Sequence, residues 1–376
     1  MKQTIQQHKK WNDDPSKGEV STPSELVCEM LDKIPNYVWE NPKSKFLDPC
    51  MGNGTFIVEI VKRLVNIYKY SKEDAISRVY GYDTCVKYIH ILRRGGLINL
   101  FHKDFLNEEL NMKFDVVVGN PPYQETHEDG RSKKNALRLW AKFVIHILDK
   151  NIVNENGYLS FVTPSGWAGS SSEVYQKMKN FNLISADFSS FVSQSFNNVG
   201  GTMIFTSFLL QNSPKSGVPK IKFNQGNSNV DIFNMGITPI KSTNMYDFTI
   251  IQKMLNSGIV GLPWQRFDDK NKEINGLSIV MTRSKSESNN SDFTHNLDDR
   301  SGFWLYGEQE YLETVLNNIN LPIYKHFRWV VRSGMAIANN IKLLPIPTNV
   351  KLTNDSFCEL FGLNKEEIDY VKSITI

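Results

Sequence analysis

The chain has 376 residues, enough for two domains, and its 40% apolar and 22% charged content is that of an ordinary globular protein. Basic and acidic residues nearly cancel (43 against 40, net charge +3), which permits a polyanionic partner without requiring one. No run approaches the roughly 18 apolar residues of a membrane span, residues 1–10 lack the apolar centre of a secretory signal, and the four cysteines (Cys28, Cys50, Cys85, Cys358) form no CxxC pair. The expectation is no membrane, no metal, no disulfide framework and a reducing cytoplasmic setting.

Taken in order, Ser21-Thr22-Pro23-Ser24-Glu25 predicts a helix start, with Thr22 as N-cap and Pro23 at the first helical position. Leu26, Met30 and Leu31 follow at helical spacing and Pro35 ends the helix. Strands and helices then alternate. Strands are predicted over 45–48, 78–83, 97–101, 114–119 and 157–163, and helices over 52–70, 86–94, 135–151 and 173–180. Two further strands, 183–191 and 202–210, have no long helix between them and predict an antiparallel, hairpin-like edge. The pattern predicts an α/β fold, a Rossmann-like sheet that is mostly parallel and covered on both faces. Past Gln211 the rhythm stops. A turn-rich hinge at 212–217, a helix at 245–255, a strand at 277–282 and a Ser/Asn-rich loop at 284–296 predict a second, irregular α+β domain. The expected division is 1–225 and 226–376.

Two stretches carry chemistry. Asp48-Pro49-Cys50-Met51-Gly52-Asn53-Gly54-Thr55-Phe56 joins the first strand to a helix; Gly52 and Gly54 let backbone approach a ligand, and the helix start offers free N–H groups. The spacing is not the dinucleotide fingerprint GxGxxG. Asp83 ends the next strand, where a carboxylate suits two ribose hydroxyls, or a helix cap. Asp104 follows the third strand, placed to accept from an exocyclic adenine amine or to cap its own loop. Downstream, the apolar run Phe114–Gly119 stops at Asn120-Pro121-Pro122-Tyr123, where two prolines force a turn and leave an amide and a ring at the lip of the sheet.

In this order and spacing the motifs resemble the S-adenosylmethionine-dependent DNA adenine-N6 methyltransferases of restriction–modification type, in their gamma class. The resemblance runs motif by motif over about residues 19–210 and is looser beyond. It implies that Thr22 and the loop residues Asp48, Pro49, Gly52 and Gly54 hold the methionine part of the cofactor. It further implies that Asp83 takes the ribose, and that Asp104 and Phe105 take the cofactor's adenine. The first domain would be catalytic and the second would recognise the target. Residues 341–347 are similar to a closing segment of such recognition domains.

An adenine amino nitrogen is a poor nucleophile because its lone pair is delocalised into the ring. The Asn120 side-chain oxygen and the Pro121 carbonyl can both accept from the amino hydrogens and localise that lone pair. Pro122 stiffens the turn, and Tyr123 offers a face for the base. The base must be flipped from the duplex. The resemblance places a second aromatic just before the last strand, here Phe196, although Asn197 stands where relatives often have proline. Arg131, Lys133, Lys134 and Arg138 suit phosphate, and Arg283, Arg328 and Arg332, lying beside or near aromatic residues, suit phosphate or guanine. The implied partners are double-stranded DNA and a separate cognate restriction endonuclease. A protein glutamine methyltransferase shares the Asn-Pro-Pro-Tyr chemistry, but its helical recognition domain precedes the catalytic one. An RNA adenine methyltransferase would carry the same catalytic motifs. Intact Gly52, Gly54, Asp83 and Asn120 argue against a catalytically dead DNA-specificity module.

Overall fold

The runs Phe46–Asp48 and Phe114–Gly119 are buried almost throughout, as interior parallel strands must be. The computed structural model describes residues 21–123, 138–196, 204–263, 265–266, 278–282, 292–293, 302–331 and 343–375. In it, β1 (Phe46–Asp48) lies between β2 (Val79–Asp83) and β4 (Phe114–Gly119), parallel to both, with Leu47 opposite Tyr80 on one side and Val117 on the other. Beyond β2 lies β3 (Asn99–His102), and beyond β4 lies β5 (Val153–Pro164), again parallel. The chain builds outward from β1 in one direction and then returns to add β4 on its other side. The crevice at the carboxyl ends of β1 and β4 is therefore the topological switch point, where open α/β sheets bind ligands.

The far half of the sheet differs from expectation. β7 (Phe205–Gln211) is antiparallel, as the short connection predicts, but it inserts between β5 and β6 (Asn182–Asp187) instead of forming the edge. β8 (Lys220–Phe223) then runs parallel to β6, and β9 (Gly226–Asn229) closes the sheet as an antiparallel edge. The expected hinge at 212–217 is thus a connection inside this unit. The Asn212 side-chain amide donates to the Val153 and Asn154 carbonyls at 2.9 and 3.2 Å, tying it to β5. The chain divides into one unit of residues up to 167 plus 173–229, and another of 168–172 plus 230–376.

Helices start later than the sequence suggests where the backbone forbids an earlier start. Gly52 and Gly54 take positive φ (50° and 80°), so the loop continues to Gly54 and the helix spans only Thr55–Asn66. Its face of Phe56, Ile57, Ile60, Val61 and Leu64 is buried in a core shared with Leu26, Val27, Met30 and Leu31 of the helix Ser24–Asp32. There Pro23, not Thr22, is the N-cap. Its carbonyl accepts the first helical bond from Val27 N at 3.1 Å while its own backbone stays extended.

The second unit is mixed, as expected. Antiparallel strands, in the order 265–266, 302–306, 278–282 and 292–293, accompany helices that include Met245–Asn256, Gln309–Asn320, Pro322–Val330 and Lys365–Ile374. Buried Phe248, Ile251, Val315, Ile323, Tyr324 and Phe357 contribute to its core. Asn318 acts as a buried staple. Its amide donates to the Pro347 and Val350 carbonyls at 2.9 and 2.8 Å, and its oxygen accepts from Leu352 N at 2.8 Å. Among the described residues, no helix is long and apolar enough to cross a membrane.

Candidate active site

Three parallel strands end on the same edge of the sheet, and each delivers one polar side chain there: Asp48 from β1, Asp83 from β2 and, one residue past β4, Asn120. Asp48 is 2% exposed and accepts from Cys50 N at 3.1 Å. Burial dominates its acidity. It is opposed by the Cys50 amide and reinforced by the charge of Asp83, and the carboxyl is pushed up to about 8. Asp83 fastens the glycine loop. One oxygen accepts from Gly52 N at 2.8 Å and the other from Cys85 N at 2.7 Å. A single carboxylate therefore fixes both the glycine loop and the start of the following helix.

The glycine loop and the Asn-Pro-Pro-Tyr turn touch at Gly119. A Cβ there would lie 2.9 Å from Asp48 Oδ1, 3.4 Å from Phe161 and 3.5 Å from Cys50 Sγ, so β4 can pass this close to β1 only with no side chain at that position. The Cys50 thiol is pushed well above its ordinary range, by burial first and then by the charges of Asp48 and Asp83, so it stays a protonated thiol.

The segment before the first helix joins the same cluster. The Asn53 amide donates to Ser21 Oγ at 2.9 Å, while Asn53 Oδ1 accepts from Thr55 Oγ1 at 2.6 Å. Thr22 is buried beside Ser21. The loop residues Pro49, Gly52 and Gly54 lie between these anchors. These bonds tie Asp48, Gly52 and Asp83 into the loop, which also contains Pro49 and Gly54, and Thr22 follows Ser21 in sequence.

In the turn itself, Asn120 is half-buried and Pro121 buried. The Tyr123 hydroxyl donates to Asn120 Oδ1 at 2.7 Å. Burial raises the Tyr123 phenol far above its usual value, outweighing the bond to Asn120, so it remains a protonated donor. The Tyr123 ring leans on Phe205, the first residue of β7, with centroids 4.8 Å apart. Phe205 also touches Phe196, at 5.5 Å.

Several sequence expectations need correction. Phe196 is only 5% exposed and has Phe205 packed against both it and Tyr123, so Phe196 and Tyr123 do not form an open slot here. Phe105 is 1% exposed; its ring meets Tyr82, Phe143 and His146 at 5.4, 6.0 and 5.3 Å, leaving no free face for a ligand ring. Asp104 caps its own short helix, accepting from Leu106 N at 3.1 Å and from the Asn107 amide at 2.9 Å, though it remains exposed beside the site edge. Arg328 is 6% exposed on the helix Pro322–Val330, and burial lowers its pKa to about 10; a guanidinium so enclosed does not reach a phosphate. Arg131, Lys133, Lys134, Arg283 and Arg332 lie outside the described residues, whereas Arg138 is exposed at the start of the helix Leu139–Asp149.

Residues that the motifs did not single out are Ser21, Asn53, Gly119 and Phe205. Gly119 had a visible signal, a glycine closing a β-branched run immediately before the turn. Phe205 had none, because only the sheet order brings β7 beside the turn.

Residues 55–197 match the family model described as Eco57I restriction-modification methylase, a stretch that contains Asp83, Asp104, Asn120–Tyr123 and Phe196. The chain is 28% identical over 163 residues to the type II methyltransferase M.VspI of Vibrio sp. (strain 343), covering 39% of this chain and 36% of that protein. It is 26% identical over 187 residues to the type II methyltransferase M.PaeR7I of Pseudomonas aeruginosa, covering 40% and 32%. To the modification methylase CviBIII of Paramecium bursaria Chlorella virus NC1A it is 26% identical over 213 residues, covering 54% and 52%. The chain spans about a third of the length of the first two relatives. Among solved structures, the type IIL restriction-modification enzyme MmeI in complex with DNA is 10% identical with a TM-score of 0.43, over 88% of this chain and 57% of that one.

Proposed function

We propose that the chain is a DNA adenine-N6 methyltransferase of the restriction–modification kind, moving a methyl group from S-adenosylmethionine to the exocyclic amine of a flipped adenine. The observation that carries this reading is the junction at Gly119, where an acidic, glycine-lined loop and an Asn-Pro-Pro-Tyr turn meet at the switch point of a mostly parallel sheet. The match of residues 55–197 to restriction-modification methylases supports the same class.

The residues present suit a cationic, ribose-bearing cofactor. Positive φ at Gly52 and Gly54 opens the loop backbone to close approach. Asp83 stands at the end of β2, where a ribose is expected to bind, and its present bonds to Gly52 and Cys85 keep it aligned. The buried Asp48 supplies a carboxyl that a nearby positive charge would ionise. Thr22 and Pro49 enclose the loop, and Asp104 remains at the exposed end for an adenine amine. When bound, the cofactor supplies an electrophilic methyl group on a sulfonium.

The chain's own work is done at Asn120 and Pro121. Their oxygens accept from the target's two amino hydrogens and localise the nitrogen lone pair, which is stabilisation by acceptors already in place. The prolines hold those acceptors rigid, and Tyr123 stacks on the base. No carboxylate general base is needed before transfer; the amino proton leaves to water afterwards. Residues 230–376 are assigned to target recognition. The exposed Arg138 and the basic residues 131, 133 and 134 are assigned to phosphate contact. A separate restriction endonuclease is the natural partner of such an activity.

The test is transfer of a labelled methyl group from S-adenosylmethionine to four acceptors: an adenine-containing duplex, the same duplex with adenine replaced by 2-aminopurine, an RNA of the same sequence and a glutamine-containing peptide. Label confined to the first acceptor supports the reading. Label on the peptide or RNA alone replaces it with one of the rival methyltransferases, and none on any acceptor points to an inactive specificity module.

A further inference from the structure

The catalytic acceptor proposed above is already engaged. The Tyr123 hydroxyl donates to Asn120 Oδ1 at 2.7 Å, within the same four-residue turn. An asparagine amide has two ends of nearly equal size, one that accepts and one that donates twice. Its terminal torsion is soft and roughly two-fold. Pro121 and Pro122 fix the backbone but leave that torsion free. Turned over, the amide would aim a donor at the donors of the target amino group, and the site would repel its substrate.

The surroundings of Tyr123 suit it to select one orientation. Its ring is seated on Phe205 at 4.8 Å, Phe205 is backed by Phe196 at 5.5 Å, and all three belong to or pack on the main core of the first unit. Such a phenol oxygen is held at a fixed place. Its proton is directed at Asn120 Oδ1, on a half-buried side chain for which no other donor to that oxygen stands among the described residues.

We propose that the Tyr123 hydroxyl is a positioning donor and placeholder: it holds the Asn120 amide with its oxygen as the acceptor in the free enzyme, and the target amino group then takes over that oxygen. Tyr123 thereby has two separable parts, a ring for stacking and a hydroxyl for orienting its neighbour. The inference rests on the reading of Asn120 as acceptor for an amino group. It goes beyond that reading by giving the hydroxyl a role distinct from the ring.

Tyr123→Phe keeps the ring and removes only the donor. In single-turnover assays it is expected to transfer methyl roughly 3- to 10-fold more slowly, with S-adenosylmethionine binding and the fluorescence of a flipped 2-aminopurine target within about twofold of wild type. Asn120→Asp supplies two equivalent oxygens, so orientation no longer matters. In that background adding Tyr123→Phe should change the rate by less than about twofold. A wild-type rate for Tyr123→Phe, or an equal loss in both backgrounds, overturns the proposal.

A second readout needs no catalysis. The side-chain amide resonances of Asn120, assigned by their loss in Asn120→Ala, should shift in Tyr123→Phe, and unchanged resonances overturn the proposal. Failure of the functional reading itself looks different: Asn120→Ala would then transfer methyl at the wild-type rate, whatever Tyr123 does.

Discussion

Gly119 lies so close to Asp48 that a Cβ on the glycine would sit 2.9 Å from the Asp48 carboxylate oxygen. This contact joins the end of β4 to the end of β1, and with them the turn that bears Asn120 to the loop that bears Gly52 and Gly54. Gly119→Ala should therefore act on stability and activity together. Overpacking at a buried strand end should cost about 1–3 kcal/mol, read as a lower urea midpoint. Methyl transfer should fall further than that loss of folded protein explains, because the displaced neighbour is the buried acid at the head of the glycine loop, which is proposed to hold the cofactor. A variant with wild-type stability and turnover would show that the two strands can separate freely.

Asp48 gives a pH dependence of definite sign. Its carboxyl titrates at about 8 in the folded chain, chiefly through burial, against an ordinary value of 3.8. Below pH 4 both folded and unfolded states hold the proton and nothing is lost. As pH rises from about 4 to about 8 the unfolded chain releases its proton and the folded chain keeps it, so stability falls. The loss is on the order of a few kcal/mol. Asp48→Asn should remove this slope. Urea midpoints at pH 5 and pH 8 check it, and parallel slopes for wild type and variant would contradict it. Near pH 7 a cationic cofactor should also drive proton release from Asp48, visible as a binding enthalpy that changes with the buffer's ionisation enthalpy.

Phe205 supports the Tyr123 ring and is 2% exposed. Phe205→Ala should lower stability by about 3–5 kcal/mol and loosen Tyr123. The flipped-base fluorescence signal should weaken while S-adenosylmethionine binding persists. Phe205→Leu, which keeps most of the volume, should recover stability more fully than base binding.

The basic residues separate by salt dependence. Replacing Arg131, Lys133 and Lys134 with alanine should reduce the slope of log affinity for DNA against log salt by up to about 2–3. Arg328→Ala should instead lower the stability of the second unit and leave that slope unchanged, because Arg328 is buried.

Much of this architecture was legible in the chain. Alternation of apolar strands with helices predicted the parallel half of the sheet, since each strand buried on both faces must be continuously apolar and each crossover needs a helix. Asp48, Asp83 and Asn120 were legible because strand ends on one side of such a sheet share an edge. The placement of β7 was not legible: local pattern shows that 202–210 is a strand, but strand order is decided by nonlocal pairing. For that reason Phe205 was missed and Phe196 was expected to face Tyr123. Phe105 and Arg328 failed for another reason. An aromatic or an arginine beside a motif reads the same in sequence whether it faces a ligand or the core, and only burial tells the two apart.

The central claim is that Asn120 at this turn accepts an adenine amino group. Modification-sensitive sequencing of DNA from cells expressing the wild-type chain, beside cells expressing Asn120→Ala, tests it most directly. N6-methyladenine at one recurring short sequence in the first sample, and its absence in the second, is the predicted result. Unmodified adenine in both samples, or equal modification in both, would contradict it.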